Sequence, residues 1–191
     1  MANNVNRCEW CGDEDIYIKY HDKEWGVPVH SDRKLFEFLI LEGAQAGLSW
    51  ITVLKKRKAY REAFDNFDFN KIAKYKEAKI QSLLKNAGII RNQLKIRATV
   101  KNAKAYILIR KEFGTFNKYI WQFTDGQTIQ NKWKTLKEIP AETAISQQMS
   151  KDLKKRGFTF VGPTICYAFM QAIGMVNDHV VDCYRYDELK K

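Results

Sequence analysis

Apolar residues recur at helical spacing along most of this chain, and that periodicity restricts the fold more than any other feature. Leu35, Phe36, Leu39, Ile40 and Gly43 fall at i, i+1, i+4, i+5 and i+8, one helix face, with Ser31 or Asp32 placed to cap it. Ser49 is placed to cap a second helix that buries Trp50, Val53 and Leu54. Ile80, Leu83, Leu84 and Ala87 form a third stripe, stopped by Gly88. Arg91 to Lys111 reads as one long helix, with Leu94, Ala98, Ala105 and Leu108 among its buried positions. Phe116, Ile120 and Phe123 predict a short helix, and Ile145, Met149 and Leu153 a longer one over Thr143 to Arg156. A last core helix follows Pro163. Asp125 to Ile139 reads as an extended loop around Gly126, and no convincing alternating strand pair is present. The expectation is an all-α chain.

Composition agrees and excludes several classes. Only 3 Pro and 10 Gly argue against a linker-rich or all-β chain. With 191 residues the chain can bury a full core, on the order of 70% of its unfolded surface. One domain over 1–191, or two small helical subdomains around a cleft, is expected. Met1 to Arg7 is polar and carries no signal-type apolar stretch. The longest apolar region, Val161 to Val176, contains two Gly, Pro163 and Gln171. It falls short of the roughly 20 apolar residues a membrane span requires. The expectation is a soluble, cytoplasmic protein with no membrane partner. Four Cys are too few for a disulfide scaffold and point to metal or catalysis.

Lys and Arg number 33 against 22 Asp and Glu, a formal charge of +11. A lysine-rich source explains such a sum as readily as a nucleic-acid surface does, so distribution decides. Lys55, Lys56, Arg57, Lys58 and Arg61 form one block. Lys151, Lys154, Lys155 and Arg156 form another, directly before Gly157. There a basic helix ends, Phe158 to Val161 make a short apolar turn, and Gly162-Pro163 open a buried helix. Glycine at both ends permits close backbone approach. The N–H groups starting the second helix make a phosphate site, and Lys155 adds a point charge. Residues 151–171 thus resemble a helix-hairpin-helix element, which grips phosphates without reading sequence. An ordinary αα-corner with a glycine cap has the same pattern.

Cys8 and His21 lie near one end of the chain and His179 and Cys183 near the other. The second pair is i, i+4, which on a helix shares a face. Together they make a Cys2His2 set suited to tetrahedral Zn2+ in a closed, structural site. Cys11 and His30 compete as ligands. Cys166 fits the core pattern as a small buried residue.

Trp10, Tyr20, Trp25 and Trp50 crowd the first fifty residues. Core packing accounts for any one of them. Glu42 is harder to dismiss, because it ends an apolar helix face where an unpaired carboxylate is expensive. Leu48, between Gly47 and Ser49, reads as an exposed apolar tip at a helix–helix turn, the kind of wedge that fills a gap in a base stack. Aromatic faces beside a carboxylate are what a flipped base needs.

These residues also carry a resemblance. Cys8-x-Trp10, Tyr20-His-Asp-x-Glu-Trp-Gly26, Leu41-Glu-Gly-x-Gln-Ala-Gly-Leu-Ser-Trp50 with the run on to Lys56, Ala87-Gly-Ile-Ile-Arg91, Lys154 to Gly162, and Val176-Asn-Asp-His179 resemble the 3-methyladenine DNA glycosylase I family. The likeness extends from Cys8 to Cys183 and departs at Glu14-Asp15-Ile16 and at Cys11. It implies a helix-hairpin-helix glycosylase fold and a structural zinc on Cys8, His21, His179 and Cys183. It implies a base pocket of Glu42, Tyr20 and Trp50 flanked by Trp10 and Trp25, and an intercalating tip at Gly47 and Leu48. The implied reaction is hydrolytic release of 3-methyladenine from alkylated double-stranded DNA, leaving an abasic site, and an enzyme of this size is expected to work as a monomer. Val161 to Tyr167 carries no Lys for a Schiff base, so no strand cleavage is expected. Two rivals stand beside this reading: a non-catalytic DNA-binding paralogue, and a zinc-held domain that meets an acidic protein.

Overall fold

Every residue of Leu35 to Ala44 is buried, so the helix that contains them is the axis of the fold. The computed structural model describes residues 5–190; the start of the polar Met1 to Arg7 stretch lies outside them. The helices are α1 Asp15–Lys23, α2 Asp32–Gln45, α3 Trp50–Ala63, α4 Phe69–Ile72, α5 Glu77–Lys85, α6 Gln93–Phe113, α7 Phe116–Trp121, α8 Ala144–Lys155, α9 Pro163–Ala172 and α10 Tyr184–Glu188. α2 packs against α3, α6, α7 and α9, and α8 packs along α9. The fold is mostly helical, as the periodicity predicts. Among the described residues no helix is long and apolar enough to cross a membrane.

Four expectations need correction. A two-residue parallel pair does exist, β1 Ile129–Gln130 beside β2 Val176–Asn177. It is too short to show alternation in sequence. On α6, Leu94 and Leu108 are exposed, at 69% and 61%. The buried stripe instead runs through Ile96, Val100, Ala103, Tyr106 and Ile109, with Ala98 and Ala105 buried as expected. A helix with two apolar stripes does not reveal which one faces inward.

His179 and Cys183 do not share a helix; both lie in the turn segment before α10. Finally, neither Ser31 nor Ser49 makes a side-chain cap bond to its helix. Asp32 serves another element: its carboxylate accepts from the backbone N–H groups of Phe116 and Asn117 at 3.2 and 3.0 Å and so caps α7. The departure at Glu14-Asp15-Ile16 is absorbed locally, because the Tyr17 and Ile18 amides donate to the Glu14 carbonyl at the start of α1.

Candidate active site

α1, the α2–α3 turn, α9, the N-terminal segment and the 136–141 segment line a cleft of about 370 Å³. Its walls include Trp10, Tyr20, Trp25, Glu42 and Trp50, which the sequence singles out. They also include Tyr17, Gln45, Leu136, Ile139, Tyr167 and Gln171, which it does not. The signal for the last two was present: Gln171 is a lone amide in an apolar helix, and Tyr167 stands one turn before it.

The aromatic side of the cleft is tightly interlocked. Trp10 lies 5.0 Å from Tyr17 and 4.9 Å from Trp25 between ring centroids, and Tyr20 lies 5.3 Å from Trp50. The indole N–H groups of Trp10 and Trp50 are buried without a hydrogen-bond partner among the described residues. Buried donors normally find one, so these two stand out beside the cleft.

On the opposite wall a single buried carboxylate, Asp178, accepts from Tyr167 Oη at 2.7 Å and Gln171 Nε2 at 2.8 Å. It also accepts from Trp133 Nε1 at 2.8 Å and Asn131 Nδ2 at 2.6 Å. These four bonds hold α9 and the 131–133 loop together as one wall.

Glu42 is the carboxyl group of the cleft. It is only 4% exposed, and burial pushes its carboxyl up to about 8. The nearby Arg57 opposes that shift but is spoken for. Its guanidinium donates to Glu37 Oε1 at 2.6 Å and to Glu24 Oε2 at 2.5 Å. Glu42 is thus left with an open acceptor facing stacking rings. The Tyr20 hydroxyl, fully enclosed beside it, is held in its neutral form by burial and by the Glu42 charge.

From Glu42 the cleft continues into a groove of about 190 Å³ lined by Gln45, Gly47, Leu48, Thr164 and Ile165. Leu48 is 42% exposed, on a turn where Gly47 has φ +77°. The first turn of α9, with Gly162 as its cap residue and Pro163 at its first position, faces the same groove. In the α8–α9 hairpin, Gly157 takes φ +93°. The Phe158 amide donates back to Leu153 O at 3.0 Å, and Ser150 Oγ donates to Val161 O at 2.6 Å. The Leu48 turn, the aromatic cleft and the start of α9 therefore adjoin one another.

The basic blocks separate. Lys55 pairs with Glu14, and Arg57 and Arg61 with Glu37. The Arg57–Glu37 pair is buried, whereas the Lys55–Glu14 pair lies on the surface. Arg156 pairs with Asp152 and Glu112, whereas Lys151, Lys154 and Lys155 are exposed before the hairpin.

Cys8, His21, His179 and Cys183 are all buried, and their ligand atoms lie within 4.8 Å of one another. Cys183 Sγ is 3.4 Å from both His21 Nε2 and His179 Nδ1, and Cys8 Sγ is 3.6 Å from His179 Nδ1. A tetrahedral Zn2+, with bonds of about 2.3 Å to sulfur and 2.0 Å to nitrogen, sets neighbouring S and N roughly 3.5 Å apart. The outer nitrogens are already engaged. His21 Nδ1 donates to Asp22 at 2.8 Å, and Asp22 is itself clamped by Arg7. His179 Nε2 donates to Trp25 O at 3.2 Å. Both histidines thus turn their other nitrogen to the centre, where His21 Nε2 also accepts from the Cys8 amide at 3.3 Å. Cys11 bonds Gly12 O, and His30 pairs with Asn117; neither joins the cluster. Trp10 packs on His21, and Trp25 on His179, at 5.3 and 4.7 Å, so the cluster backs the aromatic wall.

Comparison with known proteins agrees with this geometry. Residues 10–186 match the family model described as methyladenine glycosylase. A curated protein named DNA-3-methyladenine glycosylase from Haemophilus influenzae is 53% identical over 179 residues, 94% of this chain and 97% of its own. A crystal structure of 3-methyladenine DNA glycosylase I superposes with a TM-score of 0.92 at 50% identity, covering 94% of this chain and 98% of that one. A variant of 3-methyladenine DNA glycosylase I solved in complex with 3-methyladenine superposes at 0.91, with 34% identity over 94% of this chain and 97% of that one. Matched in sequence along most of its length and in backbone with an aromatic cleft at its centre, the chain belongs to the methyladenine glycosylase family.

Proposed function

We propose that this protein is a DNA-3-methyladenine glycosylase of base-excision repair, which flips the alkylated base out of duplex DNA and hydrolyses its N-glycosidic bond. The observation that carries the reading is Glu42: a buried carboxyl with no cation of its own, set among aromatic rings and two unpaired indole N–H groups. Such a site suits a flat, positively charged ring with exocyclic N–H donors. Trp50, Tyr20, Trp10 and Trp25 offer stacking faces, and cation–π attraction favours the alkylated over the ordinary base. An arriving cation stabilises the Glu42 carboxylate and reverses the upward push of burial.

The chemistry asks little more of the protein. The C1′–N9 bond breaks, its electron pair moves to the cationic purine, and the base leaves neutral. Water supplies the hydroxyl to C1′ and gives up its remaining proton to solvent. No strong acid is required, and α9 carries no Lys to form a Schiff base, so the product is an intact abasic strand. Leu48 and Gly47 fill the space left in the stack. Gly162, Gly157 and Lys155 hold phosphates at the hairpin over residues 151–171. The metal cluster binds one structural Zn2+ that stays closed to water and substrate. We place the enzyme in the cytoplasm as a monomer acting on double-stranded DNA.

Chromatography of bases released from methylated DNA tests the reading. Wild type should release 3-methyladenine without nicking the strand, and Glu42→Ala should lose most of that release. Unchanged release by Glu42→Ala, or β-elimination at the abasic site, contradicts it.

A further inference from the structure

The two surfaces assigned to DNA, the Leu48 turn and the hairpin turn, are held by the same helix. Lys95 stands in the first turn of α6 and reaches the end of α2. Its Nζ donates to Ala44 O at 2.8 Å and to Ala46 O at 2.6 Å. Those carbonyls belong to the last turn of α2 and its cap residue, and helix ends leave such groups without internal partners. A cation there also meets the negative end of the helix dipole. The Leu48 amide closes the same turn on Gln45 O at 2.6 Å.

Seven residues further along α6, Asn102 clasps the hairpin in both directions. Its Nδ2 donates to Thr159 O, and its Oδ1 accepts from the Thr159 amide, both at 2.9 Å. Asn102 is 3% exposed, so these bonds are shielded from water. Seven residues are two helical turns, so Lys95 and Asn102 leave α6 on one side. α2 and the hairpin also touch directly, at Gly43 and Phe160.

We infer that Lys95 and Asn102 are positioning residues that use α6 as a rigid spacer between the wedge turn and the phosphate-holding hairpin. The wedge has to enter the stack at a fixed offset from the gripped strand. Lys95 acts on the tip and therefore on flipping, whereas Asn102 acts on the hairpin and therefore on duplex binding. This rests on the reading of Leu48 as wedge and of residues 151–171 as the DNA grip.

The test is a double-mutant cycle in single-turnover excision from a duplex carrying one 3-methyladenine, with binding of the free base followed by tryptophan fluorescence. Lys95→Met should slow excision about tenfold, as expected when a charge-assisted hydrogen bond no longer sets the tip. Free-base affinity should stay near the wild-type value, and Lys95→Arg should restore most of the rate. In a Leu48→Ala background Lys95→Met should add little further loss. Asn102→Ala should weaken duplex binding in both backgrounds. Full activity of Lys95→Met alongside an impaired Leu48→Ala overturns the spacer role and leaves the wedge standing. Wild-type activity of Leu48→Ala overturns the wedge itself. Lys95→Met losses that persist undiminished without Leu48, or that come with lost free-base affinity, mean that Lys95 only stabilises the fold.

Discussion

Glu42 works against the stability of the protein that carries it. Folding raises its carboxyl from 4.5 to about 8, so the folded chain keeps a proton that the unfolded chain releases in that interval. Stability from this residue is therefore lost as pH rises from 4.5 towards 8. Glu42→Gln, neutral at every pH, should remove that slope. It should gain a few kcal/mol over wild type at pH 8, with little difference below pH 5. Urea unfolding of both proteins at the two pH values measures this, and equal slopes would refute it. The same substitution should abolish most base excision, so stability and activity move in opposite directions. Glu42 was legible in sequence because a carboxylate on an apolar helix face is an anomaly visible in one dimension. The Arg57–Glu24–Glu37 cage that leaves Glu42 unpaired was not. Its members come from α3, the end of α1 and α2, and nothing in their spacing announces that they meet.

At the scale of elements, α2 and the α8–α9 hairpin approach as closely as they do because residue 43 is glycine. A Cβ there would stand 3.3 Å from both the Cβ and the carbonyl oxygen of Phe160. Phe160 already has φ +56° and little freedom to retreat. Gly43→Val should destabilise the protein by about 1–3 kcal/mol through overpacking. It should also weaken binding to undamaged duplex, since it pushes the hairpin turn away from the tip. Wild-type unfolding and wild-type duplex affinity in this variant would show that the turn has slack. Helix existence was readable for α2, α3 and α5 to α9, because a 3.6-residue period survives in sequence, but α1, α4 and α10 carry no such announcement. Helix phase was readable only where one apolar stripe was present, which is why Leu94 and Leu108 were misplaced on α6. The Tyr167–Gln171 wall was missed for a related reason: α9 is apolar on nearly every side, and a cleft-lining face resembles a core-facing one.

For the whole molecule, the Cys2His2 cluster connects segments from opposite regions of the chain. Beside it the Tyr184 amide donates to Asn6 O at 3.0 Å, and β1 pairs with β2. Removing the metal should therefore loosen the wall formed by Trp10 and Trp25 as well as lowering stability. Metal analysis should find about one Zn2+ per chain. Chelation should lower Tm and weaken binding of free 3-methyladenine, measured by fluorescence titration. Unchanged base affinity in metal-free protein would separate the cluster from the cleft. The net charge of +11 also looks different at this scale. Three of the five cations of the Lys55–Arg61 block are bound up in ion pairs, whereas Lys151, Lys154 and Lys155 before the hairpin are exposed.

The long reach of the metal cluster has a consequence for synthesis. Cys8, His21 and Trp10 are made early, and His179 and Cys183 more than 150 residues later. Contacts of such separation form late and slowly. A nascent chain can wind α2 and seat α6 while still on the ribosome, but its base-binding wall waits for residue 183 to emerge. A ribosome-held chain stopped short of that point would be helical and incompetent, and competence would arrive in one step with the last ligand.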